Sequence, residues 1–263
     1  MFQEFFRWSQ GSGWSEAGSI EEGIMRESYF WHKVHSLTGV IPTGFYLVQH
    51  LSLNSFSLAG PEKFNSVPNF FESLPTHLLL FLKFGVVWPA LLFHAIYGFF
   101  IIGRGEGNYS EKALKYRENR YYTLQRASGI FAFIFLCWHM ATTSLNGMIN
   151  GIETIHYETW ADRLAAPGGT YLMLIFYILG ITACAYHFAY GIWNFCIRWG
   201  ITVSEQAQAR VGKLSAGLFV AVAGIGILAL VGFFKPILQR DDHKVLDTKA
   251  IPVERPISHS NEI

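Results

Sequence analysis

The sequence predicts an all-α membrane protein, built as a bundle of five transmembrane helices. Hydrophobic residues make up 51% of its 263 residues and charged residues only 15%, against about 25% in soluble domains. Glycine and aromatic residues are frequent, as in polytopic membrane proteins. The net charge of +1 does not indicate nucleic-acid binding. The three cysteines form no CxxC pair, so neither a disulfide framework nor a zinc site is predicted.

The five helices follow from the lengths of the apolar stretches. A helix needs about 20 mainly apolar residues to span a membrane, and unpaired strand edges cannot lie in hydrocarbon. The stretches that meet this length are 34–58, 77–103, 121–147, 170–198 and 213–236. They leave an N-terminal segment at 1–33 and a tail at 237–263. We expect the tail to be extended and outside the membrane, and 1–33 does not have the apolar core of a cleaved signal peptide.

The distribution of lysine and arginine predicts the orientation. The basic residues of three alternate segments are Arg7, Arg26 and Lys33, then Arg104, Lys112, Lys115, Arg117 and Arg120, then Arg198, Arg210 and Lys213. The opposite loops contain only Lys63 and Arg163, although the tail also carries lysines and arginines, together with acidic residues. Positive residues collect on the cytoplasmic side. The N-terminus is therefore expected in the cytoplasm and the C-terminus outside.

Four histidines interrupt the apolar stretches, one in each of the first four predicted helices. With this topology His50 and His139 lie in the outer halves of their helices, and His94 and His187 in the inner halves. The helical rise separates the two levels by roughly 10 Å. An ionisable residue inside a membrane is a functional hypothesis by default, although a hydrogen-bonded neutral imidazole is an alternative for any one of them.

Paired neutral imidazoles are typical ligands of haem iron. Two histidines leave the iron without an open position, so such a haem transfers electrons rather than activating a substrate. Gly98 and Gly191 each follow an inner histidine by four residues and share its helix face. Gly39, Gly44 and Gly129 precede the outer histidines on their helices. These glycines leave room for a flat macrocycle, with ordinary close helix packing as the alternative.

Long stretches of the chain resemble the membrane-anchor cytochrome b subunit of succinate:quinone oxidoreductases, of the single-subunit, five-helix, dihaem type. The resemblance covers about residues 28–235. The matching stretches are "HSLTGVIPTGFYLVQH" (35–50), "FNSVPNFFESLP" (64–75), "FHAIYG" (93–98), "LQRASGIFAFIFLCWH" (124–139) and "FAYGIWNFCIRWGITVS" (188–204).

The resemblance implies two b haems and a site for each. His50 and His139 would ligate the outer haem iron, and His94 and His187 the inner one. The implied contacts to haem propionates are His35, Ser36, Gln125, Arg126 and Arg198. Cationic and hydroxyl groups at the membrane boundary suit carboxylates that cannot enter hydrocarbon.

The resemblance also implies partners, a substrate and a location. The partners are a flavoprotein that oxidises succinate and an iron–sulfur protein, and the quinone is generally menaquinone. The location is the bacterial cytoplasmic membrane, and a higher oligomer is compatible with the sequence. Glu72 matches an acidic position of the family and is a candidate proton shuttle to the quinone. Ala185 stands where a fumarate reductase of the family has a glutamate of a transmembrane proton path, so that path is not carried over.

Three alternatives remain open at this point. The same parts serve a fumarate reductase working in the opposite direction. A dihaem anchor of a formate dehydrogenase or nitrate reductase would carry similar histidine pairs. A transporter or helix-bundle scaffold with hydrogen-bonded histidines would bind no haem.

Overall fold

The computed structural model describes residues 29–104, 115–165 and 171–248, and the side chains of most of them. This part of the chain is helical and contains no strand. The predicted segment 1–33 lies almost entirely outside the described residues, as does the end of the tail after residue 248. Seven helices, α1 to α7, follow one another along the described chain.

The helices are long and antiparallel, with two short ones between them. Their bounds are α1 29–59, α2 Pro61–Ser73, α3 Thr76–Arg104, α4 117–150, α5 Tyr157–Ala165, α6 Leu172–Arg198 and α7 Glu205–Thr248. A short 3₁₀ turn, Ile152–Ile155, precedes α5. Helix α7 is longer than the predicted 213–236 at both ends, so the first part of the tail is helical rather than extended.

Four of the described helices are long and apolar enough to cross a membrane: Thr76–Arg104, Asn119–Asn150, Leu172–Arg198 and Glu205–Phe234. Helix α1 is not among them, and its apolar stretch contains the polar residues Gln49, His50 and Asn54. The all-helical fold is therefore confirmed for the described residues, with four candidate membrane spans. The fifth span and the orientation of the termini stay predictions.

Three of the histidine-bearing helices contain a π-helical segment. The segments are Gly39–Thr43 in α1, Phe81–Val87 in α3 and Ala141–Leu145 in α4. Pro42 lies in the first, where its missing N–H removes a regular helical hydrogen bond. Such segments occur frequently at functional sites, since they re-aim the residues that follow.

The core lies mainly between α4, α6 and α7, closed at one end by the short helices. Phe64 of α2 and Tyr157, Trp160 and Leu164 of α5 cluster with Leu230 and Phe233 of α7. The Tyr157 hydroxyl donates to the Gly232 carbonyl at 2.6 Å, and the Ser57 hydroxyl donates to the Ala229 carbonyl at 2.6 Å. We call this the outer end of the bundle.

Ala185 is fully buried in α6, next to Leu51, Val222 and Ala223. This surrounding is apolar, and it would disfavour a charged side chain at this position.

Helix α3 is exposed along its length, since none of the residues in its most apolar window is buried. Its exposed Leu92, Ile96 and Phe100 suit contact with lipid.

Candidate haem-binding site

The structure brings His94 of α3 close to His187 of α6. Their ring centroids are 5.9 Å apart and the ring planes are nearly perpendicular, at 84°. We call these residues the inner pair. The end of the bundle beyond them, opposite the outer end, is the inner end.

Two backbone carbonyls hold the rings of the inner pair. Nδ1 of His94 lies 2.9 Å from the His35 carbonyl oxygen, and Nδ1 of His187 lies 3.1 Å from that of Gln125. A carbonyl only accepts, so each Nδ1 carries the proton and donates. Each Nε2 then carries the lone pair that a metal requires. This arrangement of a ligating imidazole with a second hydrogen-bond partner is usual at metal sites.

The same two residues also contact the inner pair through their side chains. The Gln125 amide nitrogen donates to the His187 backbone carbonyl at 2.9 Å. The His35 ring lies flat on the His94 ring, with centroids 4.0 Å apart and 9° between the planes. Helices α1 and α4 therefore orient the histidines of α3 and α6.

Glycines allow the close approach of these helices. A Cβ added to Gly39 would collide with the His94 ring, and one added to Gly129 would lie 2.8 Å from Cε1 of His187. Gly44 faces the Phe188 ring in the same way. Gly98 and Gly191 face His35 and Gln125 at 3.4 and 3.7 Å, which is ordinary contact. The tightest glycine contacts with the inner pair are thus made by α1 and α4, rather than by the glycines that follow the histidines.

His50 of α1 and His139 of α4 form a second pair, with ring centroids 5.7 Å apart and 75° between the planes. We call these residues the outer pair. Asn54 contacts Nε2 of His50 at 3.3 Å, and the Tyr177 hydroxyl contacts Nδ1 of His139 at 3.4 Å. The Phe135 ring stacks on that of His139. Aromatic and amide side chains, instead of carbonyls, surround this pair.

The imidazole nitrogens of the two pairs suit a cofactor that itself provides most of the ligands of its metal. Among the described residues, no three His, Cys, Asp or Glu side chains are grouped to hold a bare metal ion. Two imidazoles are sufficient for haem iron, because the macrocycle occupies the other positions. The imidazoles of either histidine pair could therefore hold the iron of a b-type haem.

Comparison with known proteins gives the family. No family model matches the chain. The chain is 36% identical over 208 residues to the "Succinate dehydrogenase cytochrome b558 subunit" of Bacillus subtilis (strain 168), an alignment that covers 79% of this chain and 98% of that protein. The chain belongs to the family of succinate dehydrogenase cytochrome b subunits. It is a multi-pass membrane protein of that family.

Within this cytochrome b fold, most residues expected at haem propionates have protein partners. The Ser36 hydroxyl donates to the Lys33 carbonyl and accepts from the Trp199 indole. Arg126 donates to the Ile102 carbonyl at 2.5 Å and to the Tyr122 hydroxyl at 3.1 Å. His35 and Gln125 contact the inner pair, as described above. These four residues therefore help to position the helices around the pair.

Arg198 has a different place, because it lines a cavity at the inner end. The other polar residues of the cavity wall are His32, Tyr97, Arg104 and Tyr122. The His32 ring bonds the Tyr97 hydroxyl at 2.8 Å. Two arginines and no carboxylate line this cavity, which suits an anionic group. Arg104 was not predicted as a site residue, although its place in the last turn of α3 matches that of Arg198 in α6.

Glu72 is exposed in the last turn of α2, a helix that lies where the sequence predicts a loop. Arg163 of α5 was also not predicted as a site residue. Its guanidinium lies over the Trp160 ring at 4.7 Å and donates to the Thr142 carbonyl. Trp160 in turn lies 6.2 Å from the His139 ring. The signal that was available is the helical spacing of Tyr157, Trp160 and Leu164, which indicates an amphipathic helix packed on the bundle.

Proposed function

We propose that this chain anchors a succinate dehydrogenase in the bacterial cytoplasmic membrane and transfers its electrons to a quinone, menaquinone by the family pattern. The inner pair would hold one b haem and the outer pair a second. The partners would be a flavoprotein that oxidises succinate and an iron–sulfur protein at the inner, cytoplasmic end. Family membership favours this function over a formate dehydrogenase or nitrate reductase anchor.

One observation supports the proposal more than any other: the two Nδ1 atoms of the inner pair both donate to backbone carbonyls. This leaves two Nε2 lone pairs on facing helices. A bis-histidine haem supplies one-electron transfer without an open coordination site. The chain's part is to hold both rings in one tautomer and one rotation, and Gly39 and Gly129 keep the neighbouring helices close.

At the outer end, the chain would deliver protons as well as electrons to the quinone. Glu72 is an exposed carboxylate on α2, so it can exchange protons with water and pass them to a bound quinone oxygen. Arg198 and the cavity it lines would hold propionate carboxylates at the other end. Ser36, His35, Gln125 and Arg126 would support that boundary, with Gly44, Gly98 and Gly191 in the helix contacts around the haems.

Replacing the histidines one at a time tests the proposal. His94→Ala and His187→Ala should each remove the inner haem and retain the outer one, whereas His50→Ala and His139→Ala should do the opposite. The measurement is a redox titration of the b-type absorbance, with haem quantified per anchor chain. His77→Ala is the matched control, because His77 is exposed at the start of α3. Two haems surviving every ligand substitution, or no Soret absorbance in the unsubstituted protein, would refute the assignment.

A further inference from the structure

The loop between α6 and α7 exposes two aliphatic side chains at the inner end. Ile201 is 64% exposed and Val203 is 83% exposed, while Thr202 between them is 5% exposed. The two candidate spans on either side stop at Arg198 and begin at Glu205. Both side chains therefore lie beyond the membrane-crossing lengths of the two helices.

The loop is held firmly in this shape. The backbone N–H groups of Ile201 and Thr202 both donate to the Cys196 carbonyl, at 2.9 and 3.2 Å. The Gln208 amide donates to the Thr202 carbonyl at 3.4 Å. Gly200 takes a positive φ of 70°, which permits the tight turn after α6. A rigid loop loses little conformational entropy when a partner binds it.

The loop is connected to the inner pair through the start of α1. The Trp199 indole donates to the Ser36 hydroxyl at 3.1 Å, and Lys33 lies over the Trp199 ring. Ser36 follows His35, whose ring stacks on His94. The exposed pair thus lies at the end of the bundle where electrons would enter under the proposed function.

Basic residues flank the exposed pair along the chain. Arg198 is exposed just before the loop, and Arg210 and Lys213 are exposed in the first turns of α7 after it, against one exposed acidic residue, Glu205. An apolar centre with a charged rim is the usual anatomy of a protein–protein interface. The charge sign of the rim calls for an acidic partner surface.

We propose that Ile201 and Val203 are the docking point for the electron-donating partner subunit, which receives them in an apolar socket with an acidic rim. This rests on the proposed function and goes beyond it by assigning the surface. The partner must approach the inner pair closely to deliver electrons, and Trp199, just before this loop, is hydrogen-bonded to Ser36, the neighbour of the histidine that orients His94.

The test uses the whole complex in membranes, with the variant Ile201→Ser/Val203→Ser. Dithionite measures all assembled haem, and succinate measures only the haem that is connected to the partner subunits. We expect an unchanged dithionite spectrum, with the succinate-reducible fraction and the partner recovered with the tagged anchor each falling at least about tenfold, equivalent to about 1.4 kcal/mol. Met148→Ser/Ile149→Ser is the matched control, since these exposed residues lie at the other end of α4.

Two single variants keep the proposal testable if the double variant does not assemble. Val203→Asp should weaken recovery of the partner more than Val203→Lys, because an acidic rim repels the aspartate. Wild-type recovery and succinate reduction in the double variant would overturn the docking proposal, and equal effects of Asp and Lys would overturn the acidic rim. Absence of b-type absorbance in the unsubstituted complex would instead refute the proposed function.

Discussion

The imidazole of His35 lies parallel to that of His94, with 4.0 Å between the ring centroids. The backbone carbonyl of the same residue accepts the proton of His94 Nδ1 at 2.9 Å. One residue of α1 therefore fixes both the rotation and the tautomer of a histidine on α3. His35 is a positioning residue in this arrangement, in addition to the propionate contact that the family resemblance implies.

Replacing His35 with leucine should change the inner haem without removing it. His35→Leu keeps the volume and the backbone carbonyl but removes the π face of the imidazole. That π face stabilises the more positive, oxidised state of the haem iron. The midpoint potential of the inner haem should rise. A stacking contact worth about 1 kcal/mol limits the change to less than about 60 mV. Redox titration measures it, with His77→Leu as the control because His77 is exposed at the start of α3, and a lowered potential or a lost inner haem would contradict the expectation.

Adding one methyl group at Gly39 should remove the inner haem selectively. The new Cβ of Gly39→Ala would overlap Cε1 and Nδ1 of His94, so α1 and α3 must separate or the ring must turn. Haem content per chain should fall from two to one. Gly217→Ala is a matched control, because a Cβ there meets nothing within 4 Å. Unchanged haem content in Gly39→Ala would show that the helices separate without losing the site.

Glu72→Gln should slow quinone reduction while both haems remain. An amide of the same shape cannot transfer the proton, and general acid–base catalysis contributes about 10²-fold or more. Turnover with a menaquinone analogue should therefore fall at least about tenfold, with an unchanged redox titration. Glu62→Gln, at the other end of α2 and also exposed, is the control. Equal turnover in the two variants would remove Glu72 from the mechanism.

Tyr157→Phe should loosen the outer end of the bundle. Burial raises the pKa of the Tyr157 phenol, and the nearby Glu158 charge adds to this, so the hydroxyl stays protonated and donates to Gly232. Losing one buried hydrogen bond costs about 1 kcal/mol. We expect a melting temperature lower by about 2–4 °C in detergent. Ser66→Ala, which removes only a local bond on the surface of α2, should leave the melting temperature unchanged.

Much of the fold follows from the sequence, because long apolar stretches have few ways to satisfy their backbone in a membrane. The stretch 77–103 differs from α3 by one residue at each end. Helices α2 and α5 were missed, since they are short and amphipathic and lie where loops were expected. Pro61 at the first position of α2 is a start signal that would have indicated it.

The sequence likewise predicts one part of the candidate site and not the other. The order of the helices groups the four histidines by depth, and the structure brings the same residues together in pairs. A single sequence does not show how each helix is rotated, so the two carbonyl acceptors, the stacked His35 ring and the facing glycines had no signal of their own. Arg163 was not predicted either, because it lies on a short amphipathic helix in a segment that the sequence predicts as a loop.

The π-helical segment Phe81–Val87 lies upstream of His94 on the same helix. One residue turns an α-helix by about 100°, so a deletion in this segment would swing His94 away from His187. We therefore expect relatives that keep the inner site to keep the number of residues in 81–87. Alignment gaps there should separate homologues that keep the inner site from those that have lost it.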